Sequence, residues 1–319
     1  MLKLLTKQQS TKRLFSTSIS VSNLPPSCTT KFHPTKPQAT SLQHIHIKGQ
    51  QPYSLGSKLQ EHIAQQCLTY KNHQILKRNP HLSHKLSQLP EPTPLKPLIF
   101  SFEFQSVYTG GKREKIQTTL EDISKIEHLK HCHYIQTDRG GQVTYHGPGQ
   151  LVVYPILDLT MFSKLTSRCY VSQLEKSIIE VLNNNSSFGL NCQTTENTGV
   201  WCHHLHQENE LRKISSIGVN VRKGITSHGV SINCNTDLKF VNDPQVVMCG
   251  LDGYKQTSIK EQLGHDVSLN FVADEFVKQL SGRLGIDQKD ITSVELDPEE
   301  FEDEKSLLEK LDSLVHYKQ

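Results

Sequence analysis

The segment RGGQVTYHGPGQLVVYP, residues 139–155, constrains the fold most, because four of its glycines precede a run of apolar residues. Gly140 and Gly141 allow positive φ or a close approach of the backbone to a ligand. The sequence HGPG at 146–149 predicts a tight turn before a buried strand. We expect a backbone-lined slot between two strands with Arg139 and His146 at its mouth; a purely structural double turn is the alternative.

Apolar periodicity along the rest of the chain predicts an α/β domain with an antiparallel-rich sheet. Residues 212–235 contain two alternating segments. In the first, Ile217, Val219 and Val221 share one strand face, and in the second, His228 shares a face with Val230 and Ile232. The sequence KGIT between them supplies a turn, so we expect a hairpin. Other predicted elements are strands at 98–104, 133–138 and 151–157 and helices at 56–75, 118–129, 170–182, 269–284 and 304–317.

Charge is divided unevenly along the 319 residues. Residues 1–60 contain eight Lys or Arg and no acidic residue, whereas 61–319 contain 27 basic and 32 acidic residues. A nucleic-acid-binding domain keeps its positive charge on the folded part, so this class of function is not expected. No apolar run approaches the 18 residues that a membrane span needs.

The N-terminal sequence MLKLLTKQQSTKRLFSTSIS is basic, rich in Ser and Thr and free of acid, which is typical of a mitochondrial transit peptide. RLFS resembles the Arg-x-Phe-Ser processing pattern, so cleavage after Phe15 is expected; a basic tail without a targeting role is the alternative. Residues 16–55, rich in Ser, Thr, Pro, His and Gln, are interpreted as a low-complexity linker. The Pro-rich stretch near 88–97 is interpreted as a surface insertion or loop.

Eight cysteines occur without a C-x-x-C pair, and we expect them to be reduced thiols in a matrix-like compartment. The cluster WCHHLH at 201–206 has no second set of ligands at metal-binding spacing. It is therefore interpreted as a polar loop, and no metal is expected.

Several motifs resemble, in the correct order, those of the lipoyl(octanoyl) transferase family of the lipoate–protein ligase B type. They are RGGQVTYHGPGQLVVYPI and, around it, SVYTGGKR at 106–113, TGVW at 198–201, RKISSIGV at 212–219, SHGVSINCN at 227–235 and CGLDGYKQTSI at 249–259. The resemblance covers about 55–285. It implies a mitochondrial member with the biotin/lipoate ligase-like (class II synthetase-like) fold, a mixed and largely antiparallel sheet flanked by helices. The implied division is a catalytic domain at 56–285 and a C-terminal helical extension at 286–319.

The resemblance also implies the chemistry. The family transfers an octanoyl group from octanoyl-acyl carrier protein through a Cys thioester to a lysine of lipoyl domains, such as glycine cleavage H protein and 2-oxoacid dehydrogenase E2 subunits. The matching nucleophile is Cys249, and the matching acid–base residue is Lys213. Lys213 has the strand parity of Ile217 and would point inward, where a neutral amine can take a thiol proton. No cofactor is implied. One departure is VVMC before the nucleophile, where bacterial members commonly have Asn-Pro.

The family's acyl-binding segments map onto Arg139, Gly140, Gly141, Gln142, Val143, Thr144, Tyr145, His146, Ser216, Ile217, Gly218, His228, Gly229, Val230 and Ser231. We expect the missing Cβ atoms of Gly141 and Gly147 to admit the acyl chain. Two alternatives remain open. An ATP-dependent lipoate or biotin ligase of the same fold would need an adenylate-binding GRGRxG loop, and a non-catalytic lipoyl-domain binding protein would not need Cys249 or Lys213.

Overall fold

A computed structural model describes residue 28 and residues 31–79, 90–130, 132–204, 207–243, 246 and 253–317. The strands of the described chain are β1 Leu42–Gln51, β2 Leu98–Phe104, β3 Val107–Gly110, β4 His133–Gln136, β5 Thr144–His146, β6 Gln150–Ile156, β7 Cys192–Gln193, β8 Val200–His204, β9 Gln207–Arg222, β10 Ile225–Asn233 and β11 Ile291–Leu296. The helices are α1 Tyr53–Lys77, α2 Glu114–Gln117, α3 Leu120–Lys130, α4 Ser167–Asn184, α5 Leu238–Val241, α6 Ile259–Leu263, α7 Leu269–Arg283 and α8 Glu304–Val315.

The main sheet has eight strands in the order β11-β1-β2-β6-β10-β9-β8-β7. Its two pairings with β1 are parallel and the other pairings are antiparallel, so the predicted mixed and largely antiparallel α/β fold is confirmed. A second sheet has three strands in the order β4-β3-β5, and its edge strand β5 belongs to the Gly-rich segment.

Helices cover both faces of the main sheet. On one face α4 and α7 pack against β6 residues such as Leu151 and Val153, and on the other face α1 and α8 pack against Val152 and Tyr154. The alternation of β6 residues between two cores follows from the two-residue period of a strand. None of the helices in the described ranges is both long enough and apolar enough to cross a membrane.

Helix starts follow the local sequence. The Thr166 hydroxyl caps α4 by accepting from the Cys169 N–H, and the predicted apolar face of α4 is buried at Tyr170, Leu174 and Ile178. Asp303 begins α8 with a capping box. The predicted hairpin is also confirmed. Strands β9 and β10 pair from Ser215 opposite Ile232 to Arg222 opposite Ile225, and a two-residue turn connects them.

Two predictions of segment boundaries are wrong. The interpretation of 16–55 as a linker fails at 42–51, because β1 lies inside the main sheet between β2 and β11. The C-terminal residues 286–319 are not a helical extension alone, because β11 pairs with β1 and α8 packs on the same core as α1. The transit peptide predicted at 1–15 lies outside the described residues.

Two further predictions are corrected. The cysteines are not all reduced thiols, since a disulfide joins Cys28 to Cys169 of α4. WCHHLH does not begin as a polar loop: Trp201 and Cys202 are buried in β8.

The described part of the Pro-rich stretch, 90–97, is a loop at the surface, as predicted. Leu95 holds it to the protein by being buried, and the Lys96 N–H donates to the Val315 carbonyl at 3.1 Å.

Candidate active site

A cavity of about 670 Å³ lies between the β9–β10 hairpin and the Gly-rich segment. Hereafter it is called the slot. Most of the predicted site residues line it, namely Arg139, Gly140, Gly141, Gln142, Thr144, His146, Lys213, Ser216, Ile217, Gly218, His228, Gly229, Val230 and Ser231. A larger groove, of about 1080 Å³, lies between α1 and α8 and contains none of these residues. We therefore place the candidate active site in the slot.

Arg139 fixes one wall of the slot. Its side chain is buried rather than placed at the mouth, and its guanidinium donates to the Thr109 carbonyl at 2.6 Å and to the Thr109 hydroxyl at 2.8 Å. The Gly140 N–H donates to the Val219 carbonyl at 2.9 Å, so this segment is tied to β9. A Cβ on Gly218 would lie 2.9 Å from the Gly140 carbonyl oxygen, which explains the glycine on β9 at this contact.

Val143 and Tyr145 do not line the slot. Both belong to a small core beside β3, in which the Tyr145 ring stacks on Phe240 at 5.0 Å and its hydroxyl lies 2.9 Å from the Ser106 hydroxyl. The space above Gly147 is filled by the Tyr145 ring, not by the slot. The expectation that Gly147 admits the acyl chain is therefore wrong, and these residues support the slot from behind.

His146 is a buried neutral imidazole. Burial lowers its pKa to about 3, with the Arg139 charge acting in the same direction. The Gln150 amide donates its Nε2 hydrogen to Asn233 at 2.9 Å, so Gln150 Oε1 is left to accept from His146 Nδ1 at 2.7 Å. The His146 Nε2 atom therefore carries a lone pair.

His228 lies on the opposite wall with φ of 55°. The prediction that it shares a strand face with Val230 and Ile232 is wrong: His228 packs edge-on against Tyr154, on the face covered by α1, whereas Val230 and Ile232 belong to the other core. Burial lowers the His228 pKa to about 4, followed by the effect of the Arg139 charge. Both imidazoles of the slot are thus neutral at physiological pH.

Lys213 is buried as predicted, with 4% of its surface exposed. Its Nζ lies 5.5 Å from the centre of the Trp201 ring, a cation–π distance. Within the described ranges no carboxylate makes an ion pair with Lys213. Glu175 of α4 interacts with Lys213 at a distance: burial raises the Glu175 pKa, and the Gly199 N–H and then the Lys213 charge act to lower it. Glu175 accepts the Gly199 N–H at 3.0 Å.

Cys249 lies outside the described residues, but the chain on both sides of it is anchored beside Lys213. The Thr257 N–H donates to the Lys213 carbonyl at 2.9 Å, and the Lys213 N–H donates to the Lys255 carbonyl at 3.0 Å. The Asn242 side chain accepts the Gln256 N–H at 2.7 Å and donates to the Gln256 carbonyl at 3.0 Å. The segment that contains Cys249 therefore begins and ends next to the strand that carries Lys213.

Sequence reasoning missed several residues that build the site. Tyr154 and Glu175 contribute through packing and charge, and Gln60 of α1 bonds directly to His228. The sequence does contain one indication that Gln60 is buried. It is a polar residue next to Leu59, on the apolar stripe of a helix. No set of three His, Cys, Asp or Glu side chains among the described residues is placed to hold a metal ion.

Comparison with known proteins identifies the family of the chain. The sequence model of the lipoyl protein ligase A/B catalytic domain matches residues 81–281. The mitochondrial octanoyltransferase of Saccharomyces cerevisiae is 36% identical over 290 residues, covering 80% of this chain and 85% of that one. A Danio rerio protein named octanoyl-[acyl-carrier-protein]:protein N-octanoyltransferase LIPT2, mitochondrial, is 38% identical over 165 residues, covering 52% of this chain and 67% of that one.

The fold is shared with solved structures. A bipartite lipoate protein ligase from Thermoplasma acidophilum superposes with a TM-score of 0.53 at 14% identity, covering 86% of this chain and 92% of that one. This likeness confirms the predicted lipoate ligase-like architecture. The chain belongs to the family of the lipoyl protein ligase A/B catalytic domain, and within it the chain is an acyltransferase.

Proposed function

We propose that the protein is a mitochondrial octanoyltransferase that moves an octanoyl group from octanoyl-acyl carrier protein through a Cys249 thioester to a lysine of lipoyl domains. The observation that carries the proposal is the buried Lys213, which lines the slot and is bonded through its backbone to the chain on the C-terminal side of Cys249. The names of the relatives in yeast and Danio rerio support both the octanoyl group and the carrier-protein donor.

In the first half-reaction Lys213 takes the proton of the Cys249 thiol. The thiolate attacks the thioester carbonyl of the donor, the carbon–sulfur bond to the carrier breaks, and the leaving thiolate recovers the proton from Lys213. In the second half-reaction the neutral amine of the acceptor lysine attacks the Cys249 thioester, the carbon–sulfur bond to Cys249 breaks and an amide forms. The proton that the amine nitrogen loses passes through Lys213 to the leaving Cys249 thiolate, which restores the thiol. Thioester exchange is nearly isoenergetic and amide formation is downhill, so neither step requires ATP.

Gly250 follows the nucleophile and would let its own N–H face the developing oxyanion. The neutral imidazoles of His146 and His228 suit an apolar chain, since a charged group beside a buried methylene chain would lose solvation. At about 0.8 kcal/mol per buried methylene, the slot supplies several kcal/mol of binding to an eight-carbon chain. Lys213 and Cys249 are the catalytic residues of this proposal, and the Gly-rich and hairpin residues bind the chain.

The test is intact-protein mass after mixing with octanoyl-acyl carrier protein in the absence of ATP. The wild type should gain one octanoyl group, Cys249→Ala should gain none, and Cys67→Ser, which removes a thiol outside the slot, should behave as the wild type. Addition of a lipoyl domain should then transfer the group to that domain. An adduct that forms only when ATP is supplied would identify an ATP-dependent ligase, and absence of any adduct or transfer would favour a lipoyl-domain binding protein.

The mitochondrial location is tested separately. The protein recovered from mitochondria should lack residues 1–15, and N-terminal sequencing reads this directly. Recovery of an intact Met1 terminus from purified organelles would contradict the proposed transit peptide.

A further inference from the structure

Strand β10 leaves the regular strand conformation at His228. A positive φ is unfavourable for a residue with a Cβ, and here it occurs inside a strand whose residues are all buried. On one side His228 still pairs with Val219 of β9. The cause of the irregularity therefore lies on the other side, where β10 faces β6.

The β6–β10 ladder stops at the pair Val230–Val153. The next hydrogen-bonded pair in this register, two residues further along each strand, would place His228 opposite Pro155, which has no N–H to donate. The Pro155 carbonyl instead accepts from the Thr226 hydroxyl at 2.8 Å. The His228 N–H has consequently lost its partner in the sheet.

Gln60 of α1 takes over this N–H. Its Oε1 accepts from the His228 N–H at 2.7 Å, and Gln60 itself is only 2% exposed. Since the amide oxygen is used by the backbone, the amide NH₂ group is the part that faces the imidazole, with Nε2 at 3.4 Å from His228 Nδ1. His228 Nδ1 then accepts a hydrogen bond, and the ring proton lies on Nε2.

The imidazole held in this way lines two cavities. One is the slot, and the other is a cavity of about 280 Å³ whose walls combine Tyr53 and Ile135 with charged side chains such as Lys115 and Arg222. This second cavity is hereafter called the side cavity. Tyr154 contacts the ring edge-on at 5.6 Å and supports it from the core. Removal of the imidazole would join the slot to the side cavity.

Lys213 and His228 lie far apart in the slot. Ile232 pairs with Ser215, so they are about six residues apart along the hairpin, or about 20 Å. With the thioester held at the Lys213 end, the far end of the acyl chain is directed towards His228.

We propose that Gln60 is a positioning residue that holds His228 as the inner wall of the slot, and that this pair sets the longest acyl chain the enzyme accepts. Gln60 acts through His228 and touches no reacting atom. The inference rests on the proposed acyl transfer, which it deepens by naming the residues that select the substrate.

The experiment compares octanoyl- and dodecanoyl-acyl carrier protein as donors, with kcat/KM measured for each. In His228→Ala and in Gln60→Leu the ratio of dodecanoyl to octanoyl activity should rise about tenfold or more, the scale of discrimination by added methylenes. Gln43→Leu is the matched control, because Gln43 is an equally buried amide that bonds to Thr292, away from the slot. Its ratio should equal that of the wild type.

A second measurement reads the state of His228 in the wild-type protein. Nitrogen-15 NMR of the wild-type histidines should show His228 as the neutral tautomer with its proton on Nε2, assigned by the loss of that signal in a conservative His228→Asn variant. An unchanged chain-length ratio in the two slot variants, or a proton on Nδ1, would overturn the proposal. Failure of the proposed function is distinct, since the wild type would then form no adduct with a donor of any length.

Discussion

Replacement of Gly199 by Ala tests the role of Lys213 without changing Lys213 itself. Gly199 has φ of 126°, and a Cβ there would lie 2.6 Å from Lys213 Cε, 3.3 Å from Lys213 Nζ and 2.6 Å from the Ser215 carbonyl oxygen. The carbonyl belongs to the sheet and cannot yield, so the amine must move by about 1 Å to reach ordinary contact distance. A misplacement of about 1 Å at a reacting group costs on the order of 10²-fold in rate.

The matched control is Gly264→Ala. Gly264 also has positive φ, at 80°, but a Cβ there meets no atom within 4 Å. Gly264→Ala therefore loses about 1–2 kcal/mol to backbone strain, which corresponds to a Tm decrease of roughly 2–8 °C in a chain of this size. Gly199→Ala loses more, because its Cβ also lies 2.6 Å from the Ser215 carbonyl oxygen. The rate of octanoyl adduct formation, followed by intact mass, should fall about 10²-fold in Gly199→Ala and remain near wild type in Gly264→Ala. Equal rates in two folded variants would refute a requirement for Lys213 in its observed position.

Four other results are expected. Lys213→Ala should slow acylation and transfer in single-turnover assays by roughly 10²–10⁴-fold, without rescue by Lys213→Arg, because guanidinium cannot accept the proton. Gly147→Val should lower Tm by several degrees through overpacking against the neighbouring tyrosine ring. Burial lowers the pKa values of His146 and His228 to about 3 and 4, so the unfolded chain binds protons more tightly than the folded one. The free energy of unfolding, measured with urea, should therefore fall as the pH is lowered from about 6.5 towards 4, and His146→Gln should make this fall smaller. Glu175→Leu should lower Tm by several degrees, because the Gly199 N–H loses its acceptor.

Elements with a strong local signal could be predicted from the sequence. The β9–β10 hairpin combines alternation on both strands with a Lys223-Gly224 turn in which both residues have positive φ, as a two-residue hairpin turn requires. The apolar face of α4 has helical spacing, and its Thr166 cap lies one residue before the helix. In each case the information lies within about twenty residues of the chain.

Strand β1 shows why the linker prediction failed. Its His and Gln residues indicate poor order when they are considered alone, yet Gln43 donates to Thr292 and His44 bonds to Ser101 inside the sheet. These partners are 249 and 57 residues away in the chain. A buried polar side chain is stable only with such partners, and no local pattern shows that they will be supplied.

The wall residues of the site were predictable, but their roles were not. The Gly-rich motif and the hairpin together identified the slot, whereas alternation placed His228 on the wrong face. Its true face depends on Pro155 interrupting the ladder and on Gln60 accepting the freed N–H. Tyr145 was wrongly predicted to line the slot. Its ring instead fills the space beside Gly147 that the missing Cβ leaves open, and the sequence pattern did not show this contact.

Lys213 is buried without an ion-pair partner among the described residues. A carboxylate in direct contact would hold a lysine in its charged form, and within the described ranges no such contact exists. Glu175 instead accepts the Gly199 N–H and interacts with the Lys213 charge only at a distance. The Trp201 ring, whose centre lies 5.5 Å from Nζ, gives a weaker attraction for an ammonium group than a carboxylate would. A lysine that no carboxylate contacts directly meets the condition for taking a proton from one thiol and returning it to another.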